Sequence, residues 1–340
     1  MPQPHPAIGS VSVVIPTRNR PASLQRLLRS LAVQQRKPLE VIVVDASDTP
    51  LEREALLEQG RGLSITVMHC AAHLPSQRNL GIGASRGAYV LLCDDDIEIP
   101  ADYLRRLGAY LDEHPGDGAV SGALRERSAG GGFAESFPVP SLRQLLFAFV
   151  FQLTMWGDVE GVRAPPWLAL PARWLKAWYR RRGNSWSLAG WPLVTQVRGP
   201  VVRTAVYGLG ASLVRREWLV ASPYDERLGA HGIGDNYGVA MGFPDAGVVV
   251  LRDVEVLHHV ESANRLPAED VYYERVLALD YFMRAGRHRR AWRPLALAWS
   301  LLGSACLFRV KGDRTRARRA LRAMRVVLAG SNPLLRASPP

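Results

Sequence analysis

Cysteine is scarce in this chain of 340 residues, and its placement excludes the common cysteine-based scaffolds. Only Cys70, Cys93 and Cys306 are present, an odd number with no CxxC or Cys/His spacing. This pattern excludes both a disulfide framework and a structural zinc site. Hydrophobic residues make up 47% of the chain, so it can bury a substantial core without cross-links, in one large or two modest domains.

Long hydrophobic runs are also missing. Residues 1–6 carry no basic segment followed by an apolar one, and the apolar run at 11–15 is too short for a signal peptide. The apolar stretch at 294–308 falls short of the roughly 20 residues that a membrane span needs, so it predicts an interfacial or core helix. Together with the sparse cysteines, these features predict a protein of the reducing cytoplasm.

Acidic residues are outnumbered, since 31 Asp and Glu against 43 Lys and Arg give a formal net charge of +12. This balance predicts attraction to an anionic partner, which nucleic acid, acidic lipid and a phosphorylated substrate all satisfy. Basic residues are densest at 287–290 and 311–325. A solvated helix face is the common explanation. Because the run borders residues 294–308, peripheral contact with an anionic surface at the inner face of the cell membrane is the alternative.

Strand and helix patterns alternate from residue 11 to residue 111. Short apolar runs, many of them β-branched, predict strands at 11–15, 39–44, 64–68 and 89–93. Helical patterns fall at 21–31, 76–85 and 103–111. The alternation predicts an α/β fold with a mostly parallel central sheet flanked by helices. Ligands bind such sheets at the carboxyl ends of the strands, where polar residues stand at 16–20, 45–48 and 94–96.

Three consecutive carboxylates, Asp94, Asp95 and Asp96, follow the strand at 89–93, and we refer to them as the acidic triplet. They would repel one another unless a cation or basic groups lay among them. Hard oxygen ligands favour Mg²⁺ or Mn²⁺, which typically use one or two carboxylates plus the oxygens of a diphosphate. A turn that caps a helix near Pro100 is the other explanation, and the triplet alone favours neither.

Several segments resemble, in order and spacing, the family-2 glycosyltransferases of GT-A fold. The segments on the donor side are residues 13–20, 41–45, 78–82 and 87–96. Those similar to the acceptor side of the family are residues 210–216, 224–226, 234–235 and 256–259. The resemblance covers roughly residues 10–260, and it is specific because several motifs agree. It implies a GT-A type α/β fold and transfer of a sugar from a nucleotide-diphospho-sugar.

The resemblance also implies a division of the chain. Residues 1–127 would form the nucleotide-sugar-binding α/β half, and residues 200–262 the acceptor-side part of the GT-A domain. Between them, residues 128–199 predict a helical insertion rich in Trp and Arg, whose tryptophans are expected to pack a core more often than to line a sugar or lipid site. Residues 263–340 would form a basic C-terminal helical region.

The resemblance further implies roles for individual residues on the donor side. Pro16, Thr17 and Arg18 would frame the nucleotide pocket, and Asp45 would hydrogen-bond the nucleobase. Arg78 would lie near the nucleotide-sugar. Within the acidic triplet, Asp96 would bind the Mn²⁺ or Mg²⁺ ion and Asp94 would face ribose or sugar hydroxyls, while Asp95 would belong to the donor site without a specific role.

On the acceptor side, Asp235 matches the general base that would take the proton of the acceptor hydroxyl, which allows direct attack and inversion at the anomeric carbon. His258 or His259 matches the histidine near metal and diphosphate. Adjacent residues of a strand cannot both point inward, so at most one of the two is expected to act. The family usually has Glu-Asp where this chain has Gly234-Asp235. Asp225 and Glu226 are the fallback carboxylates, although a capped turn is favoured for that pair.

Two further departures bear on function. Ala46 stands where the family often has a second Asp, so the nucleobase stays open among UDP-, GDP- and dTDP-sugars. A Gln-x-x-Arg-Trp motif is absent, which predicts a single transfer per encounter. We therefore expect an inverting, non-processive glycosyltransferase that acts on a glycan or lipid-linked acceptor in cell-surface polysaccharide synthesis.

Three other functions compete with this expectation. A nucleotidyltransferase would need a Gly-rich phosphate loop, whereas residues 16–20 contain no glycine. A nucleic-acid-binding protein would bind with a steep salt dependence and ignore nucleotide-sugars, and no nucleic acid partner is expected. The altered base motif also permits a membrane-associated scaffold that kept the fold and lost catalysis.

Overall fold

The computed structural model describes residues 9–126, 137–206, 210–244, 247–259, 261, 264–286 and 290–336. Its strands are β1 Val11–Thr17, β2 Glu40–Asp45, β3 Ile65–His69, β4 Tyr89–Cys93, β5 Ile97–Glu98, β6 Ala119–Glu126, β7 Met155–Trp156, β8 Leu193–Val194, β9 Val201–Arg203, β10 Ala211–Arg215 and β11 Val248–His258. Its helices are α1 Pro21–Ala32, α2 Arg53–Gln59, α3 Leu74–Ala84, α4 Tyr103–Glu113, α5 Leu142–Val150, α6 Ala169–Arg182, α7 Arg216–Ala221, α8 Asp235–Gly242, α9 Ala268–Ala285, α10 Arg293–Val310 and α11 Arg314–Leu328.

The central sheet has the strand order β3-β2-β1-β4-β10-β6-β11-β5, with β9 paired to β11. Strands β3, β2, β1, β4, β6 and β11 run in one direction, whereas β10, β5 and β9 run against their neighbours. Helices cover both faces, because apolar clusters lie on either side of the sheet. The predicted α/β fold with a mostly parallel sheet is confirmed.

The local patterns explain the first elements. All four periodic leucines of α1, at positions 24, 27, 28 and 31, are fully buried against the sheet. Strand β1 is buried along its whole length, as an interior parallel strand should be. It extends beyond the predicted end to Thr17. The pairing of β1 with β4 ends at Val14, so Pro16 lies where β1 pairs only with β2, a position that tolerates proline.

The insertion is helical, as expected, and also contains the short parallel pair β7 and β8. Its glycine-rich start, residues 128–136, lies outside the described residues. The expectation that the tryptophans pack in a core is met by Trp191, which is buried and donates its indole N–H to Ser300 Oγ at 2.9 Å. It does not hold for Trp167 and Trp174, which are 77% and 60% exposed. The insertion therefore joins the core on one side and presents aromatic rings on the other.

The C-terminal region is helical, with α10 packed along α11 and α11 against α9. Helix α10 contains the apolar stretch found in the sequence, and it buries one face, including Leu297, Leu301 and Ala305. In the part of the chain that the structure describes, no helix is long and apolar enough to cross a membrane. The basic residues 287–289 lie outside the described residues.

The close approach of α3 to the sheet gives a stability test. A methyl group at Gly81 would collide with the buried side chain of Val14 in β1, whereas one at Gly83 of the same helix would meet nothing within 4 Å. We expect Gly81→Ala to lower the free energy of unfolding by about 1–3 kcal/mol. Gly83→Ala should raise it by about 0.5–1 kcal/mol, because alanine is the better helix former. Urea denaturation would measure both, and equal effects at the two positions would contradict the packing described.

Candidate active site

A cleft of about 750 Å³ lies at the carboxyl ends of β1 and β4, which are parallel neighbours. One wall comes from the ends of these strands and from α3, and it includes Pro16, Thr17, Arg18, Arg20, Gln77, Arg78 and the acidic triplet. The opposite wall comes from the segment after β11 and from α9 and α11, and it includes Arg265, Val271, Tyr272, Arg275 and Arg316. The cleft is lined by many cationic groups, so it suits an anionic ligand.

Asp95 is turned toward the end of β1. Its carboxylate accepts hydrogen bonds from Thr17 Oγ1 at 2.7 Å and from an Arg20 guanidinium N–H at 3.2 Å. Burial raises the pKa of Asp95 to about 6, against the effect of these donors. The side chain thus ties β1 to the loop after β4 and has few free lone pairs for a ligand.

Asp96 is buried, and cationic groups from distant parts of the chain surround it. Its carboxylate lies 3.2 Å from His258 Nε2 and 3.2 Å from the guanidinium of Arg265. The backbone N–H of Glu261 donates to the same carboxylate at 3.3 Å. Burial alone would raise the pKa of Asp96, but the hydrogen bond and charge of His258 and the charge of Arg20 hold it well below its usual range.

The two histidines point to different places, because they are adjacent on an extended chain. The β5–β11 pairing puts His258 opposite Ile97, which brings its ring to Asp96. Burial would lower the pKa of His258, yet hydrogen bonding to Asp96 and Glu126 raises it to about 9. His259 lies against Glu98 instead, with Nε2 2.8 Å from the carboxylate. The structure therefore brings His258 into the cleft and leaves His259 outside its lining.

Arg78 is a buried guanidinium that bridges two of the predicted site residues. It donates to Asp94 Oδ1 at 2.9 Å and forms an ion pair with Asp235 through another nitrogen, while the Tyr224 ring lies 5.2 Å away. Asp235, the first residue of α8, is only 1% exposed and does not line the cleft. Burial raises the pKa of Asp235 to about 6, although Arg78 acts in the opposite direction.

Asp45, at the end of β2, does not line the cleft either. Its two oxygens accept hydrogen bonds from the backbone N–H groups of Ser47 and Leu51, at 2.9 and 3.1 Å, and lie near the ring of His69. The side chain therefore shapes the loop that follows β2. This loop is tied to the end of β1 by hydrogen bonds between Asn19 and Asp48.

The fallback carboxylates serve the local structure. Asp225 accepts the backbone N–H of Arg227 at 3.0 Å, as in a capped turn, and the hydroxyl of Tyr281 at 2.7 Å. Glu226 accepts hydrogen bonds from Asn79 and Ser76 of α3 at 2.7 and 2.8 Å. These contacts agree with the capped turn expected for the pair.

The geometry around Asp96 can be tested for a divalent cation. Ligands at right angles, each about 2.1 Å from an octahedral ion, lie about 3.0 Å apart. The 3.2 Å between Asp96 Oδ1 and His258 Nε2 fits that spacing. Within the described ranges, no three His, Cys, Asp or Glu side chains come together to hold a metal. The residues present therefore fit a cation that takes its remaining ligands from a bound diphosphate and water.

Sequence reasoning missed several cationic residues of the cleft. Arg20 belongs to the predicted strand-end segment, and the acidic charge of the triplet was the signal for a nearby base. Arg265, Arg275 and Arg316 come from regions without a motif, and His231 lies near the base position without matching it. Their part in the cleft follows from the packing of α9 and α11 beside the sheet, which no local pattern specifies.

Comparison with known proteins agrees with the sequence motifs. Residues 12–155 match the sequence model described as "Glycosyl transferase family 2". An uncharacterized glycosyltransferase of Haemophilus influenzae is 35% identical over 107 residues, which are 31% of this chain and 35% of the relative. The poly(ribitol-phosphate) β-N-acetylglucosaminyltransferase TarS of Staphylococcus aureus is 31% identical over 111 residues, which are 31% of this chain and 19% of TarS. These alignments span well under two thirds of either relative.

Solved structures show the fold over almost the whole chain. TarS 1–349 superposes with a TM-score of 0.52 at 15% identity, covering 96% of this chain and 89% of that one. GalNAc-T7, solved with UDP, GalNAc and Mn²⁺, superposes with a TM-score of 0.53 at 16% identity, covering 96% of this chain and 58% of that one. The GT-A type fold inferred from the motifs is confirmed.

The hydrogen bond between Thr17 and Asp95 gives a test of the site as a structural unit. Thr17→Val keeps the shape of the side chain but removes the donor, which leaves the buried Asp95 carboxylate with one partner fewer. We expect the free energy of unfolding to fall by about 1–3 kcal/mol in the absence of nucleotide. Thr17→Ser retains the hydroxyl and should lose less. Equal denaturation midpoints for the valine variant and the parent would show that the bond does not stabilise the fold.

Proposed function

We propose that the protein transfers a sugar from a nucleotide-diphospho-sugar to a glycan or lipid-linked acceptor, since residues 12–155 match the sequence model of glycosyl transferase family 2. The observation that carries the proposal is the convergence of the acidic triplet, Arg78 and His258 at one cleft of a GT-A type sheet. The name of the relative TarS supports a role in cell-surface polysaccharide synthesis. The GalNAc-T7 structure, which contains UDP, supports a nucleotide-sugar donor.

In this proposal the donor lies along the ends of β1 and β4. Pro16, Thr17 and Arg18 frame the nucleotide, and Asp94, which is one-third exposed, faces the ribose or sugar hydroxyls. The loop shaped by Asp45 borders the nucleobase. For Asp45 itself to bind the base, one of its backbone hydrogen bonds has to be exchanged for a bond to the ligand.

Asp96 and His258 would hold the Mn²⁺ or Mg²⁺ ion together with the donor diphosphate, and the proton that His258 Nε2 now directs at Asp96 would be released to solvent. When bound, the cation neutralises the negative charge that develops on the leaving diphosphate. Arg265 now lies against Asp96, so it would move from that carboxylate toward the phosphates as the cation binds. The Arg265 guanidinium and the cation would thus compete for the Asp96 carboxylate, and both would bind the donor diphosphate.

Asp235 is the proposed general base of an inverting, direct displacement. Its carboxylate is held by Arg78 and lies behind the lining of the cleft. A donor diphosphate would attract Arg78, and its departure would leave Asp235 free to accept the proton of the acceptor hydroxyl. Arg78 would then link donor binding to activation of the base.

The remaining parts of the proposal concern the acceptor. The absence of a Gln-x-x-Arg-Trp motif supports one transfer per encounter. Arg275 and Arg316, on the wall formed by α9 and α11, favour an acceptor that carries negative charge. A lipid-linked acceptor would require the protein to work at the inner face of the cell membrane, as a peripheral rather than a spanning protein.

A donor screen tests the division of roles. UDP-, GDP- and dTDP-sugars with Mn²⁺ or Mg²⁺ should raise the melting temperature for at least one donor, and that donor should be hydrolysed slowly. Asp96→Asn should abolish the metal-dependent part of the shift. Asp235→Asn should keep donor binding nearly intact and suppress turnover.

The exposed Asp253→Asn, far from the cleft lining, is the matched control for the loss of one carboxylate and should behave like the parent. No metal-dependent shift with any donor would refute the proposed function. Equal loss of donor binding in the Asp96 and Asp235 variants would refute the separate roles of the two carboxylates.

The pKa of Asp235 predicts the pH dependence of transfer. A base must be deprotonated to act, so kcat/KM should be constant above pH 6 and fall about tenfold per unit below it. In the donor complex the charge of Arg78 would turn to the diphosphate, which raises the pKa of Asp235 further. The acidic limb of kcat should therefore lie at higher pH than that of kcat/KM. Identical limbs would contradict the release of Asp235, and a flat profile through pH 5 would exclude it as the base.

A further inference from the structure

A second cavity, of about 320 Å³, lies away from the cleft, between the end of α9 and the start of α10. We call it the arginine cavity, after the charged residues in and beside it. It is lined by Ala189, Asp280, Met283, Arg284, Arg290, Ala291, Arg293, Pro294, Leu297 and Leu335. None of these residues has a part in the proposed transfer reaction.

Two guanidinium groups, one in the lining of this cavity and one near it, have no carboxylate partner among the described residues. Within the described part of the chain, no Asp or Glu oxygen lies within 4 Å of Arg293, or of Arg182 beside it at the end of α6. Arg182 donates to the backbone oxygen of Trp186, and Arg293 contacts the sulfur of Met283. The Nε atoms of both arginines are buried and have no hydrogen-bond acceptor within the described ranges. Buried N–H donors of charged groups are costly to leave without an acceptor.

The one acidic group of the lining does not neutralise these arginines. Asp280 is buried and is already engaged, since it accepts hydrogen bonds from Arg284 at 2.8 Å and from Asn332 Nδ2 at 2.9 Å. The Asp280–Arg284 pair cancels its own charge. Arg293 remains at the cavity without a carboxylate partner among the described residues, and Arg182 lies nearby, so these two groups make the charge there positive.

The mutual repulsion of these groups supports the same conclusion. Burial lowers the pKa of Arg293, and the nearby charges of Arg290 and Arg182 lower it further. Like charges held together in a partly buried place are a site for a counter-ion. Guanidinium groups bind phosphate oxygens well, because their planar fork matches them in geometry.

The side chains at the rim of the arginine cavity indicate which kind of molecule would carry an anion to it. Large apolar side chains project into solvent around it: Leu188 and Leu335 are 39% and 38% exposed, Trp292, which precedes α10, is 45% exposed, and Leu295 in the first turn of α10 is 67% exposed. Exposed Trp beside Arg is typical of surfaces that enter the interface of a bilayer, where the ring lies at the level of the headgroups. Free phosphate needs no such rim.

We propose that the arginine cavity binds the phosphate group of an anionic phospholipid and that the rim of Leu188, Trp292, Leu295 and Leu335 enters the bilayer around it. This locates the membrane contact on the junction of α6, α9 and α10 and not on the basic face of α11.

The proposed lipid site extends the proposed function. Its biological role depends on that function, but lipid binding itself does not. Met283 of the cavity and Arg275 of the cleft both lie on α9, separated by about 12 Å along the helix axis. Docking at the cavity would therefore hold the acceptor wall of the cleft close to the membrane surface. Lipid binding is measured without donor or acceptor, so either proposal can fail without the other.

The test is co-sedimentation of the full chain with phosphatidylcholine vesicles, with and without phosphatidylglycerol. We expect binding only to the anionic vesicles. The double variant Arg182→Gln/Arg293→Gln should weaken it by about 100-fold or more, because it removes two charge-assisted hydrogen-bonding groups. The matched control Arg318→Gln/Arg325→Gln removes the same charge from the exposed face of α11 and should weaken binding by less than about tenfold.

Equal losses in the two double variants would overturn the proposal in favour of diffuse attraction by the basic surface. Stabilisation by inorganic phosphate without vesicle binding would overturn the lipid assignment. A second measurement does not depend on the folding of the glutamine variants: brominated lipids should quench part of the fluorescence of the parent protein, and Trp292→Phe should remove part of that quenching. An unchanged quenched fraction would show that this rim does not enter the bilayer.

Discussion

The cleft depends on one electrostatic constraint, the repulsion among three consecutive carboxylates at the end of a buried strand. Each member of the acidic triplet is compensated by a cation from a different part of the chain: Asp94 by Arg78 of α3, Asp95 by Arg20 after β1, and Asp96 by His258 and Arg265. Folding must bring these segments together to bury the triplet. The charges that a donor would use are therefore also those that join the two halves of the sheet.

In this arrangement, a ligand would bind by exchanging its own charged groups for ion-pair partners already present in the cleft. The ion pairs of the cleft occupy positions that the proposed cation and diphosphate would take, so binding as proposed would replace one set of charge contacts by another. Such replacement would give new partners to the charged groups of the cleft wall, and Asp235 would be the carboxylate that loses its guanidinium. It also explains why Asp235 can be buried and still be proposed as the base, since the group that hides it, Arg78, is one that the diphosphate would attract.

The sequence predicted the parts of the molecule that local physics determines. The strands ending at Thr17 and Cys93 were found because buried parallel strands are continuous apolar runs, and α1 because its leucines repeat at helical spacing. How deeply a side chain is buried, and where it points, could not be predicted from such local patterns. The motif located Asp235 along the chain, yet only the packing of α8 against Arg78 puts it behind the cleft wall. Arg265 has no local pattern, because its contact with Asp96 spans 169 positions.

The charge composition has the same limit: it indicates a class of partner but not where on the fold that partner binds. A net charge of +12 indicates an anionic partner, but the charge itself does not distinguish a nucleotide, an acceptor and a lipid. The fold separates them. Arg18, Arg20 and Arg78 face the cleft beside acidic groups, where the proposed cation and diphosphate would exchange with them. Among the described residues, Arg182 and Arg293 have no carboxylate partner, and exposed Trp292 and Leu295 lie near Arg293 in the chain, which is why the anion proposed for them is one that arrives with an apolar surface.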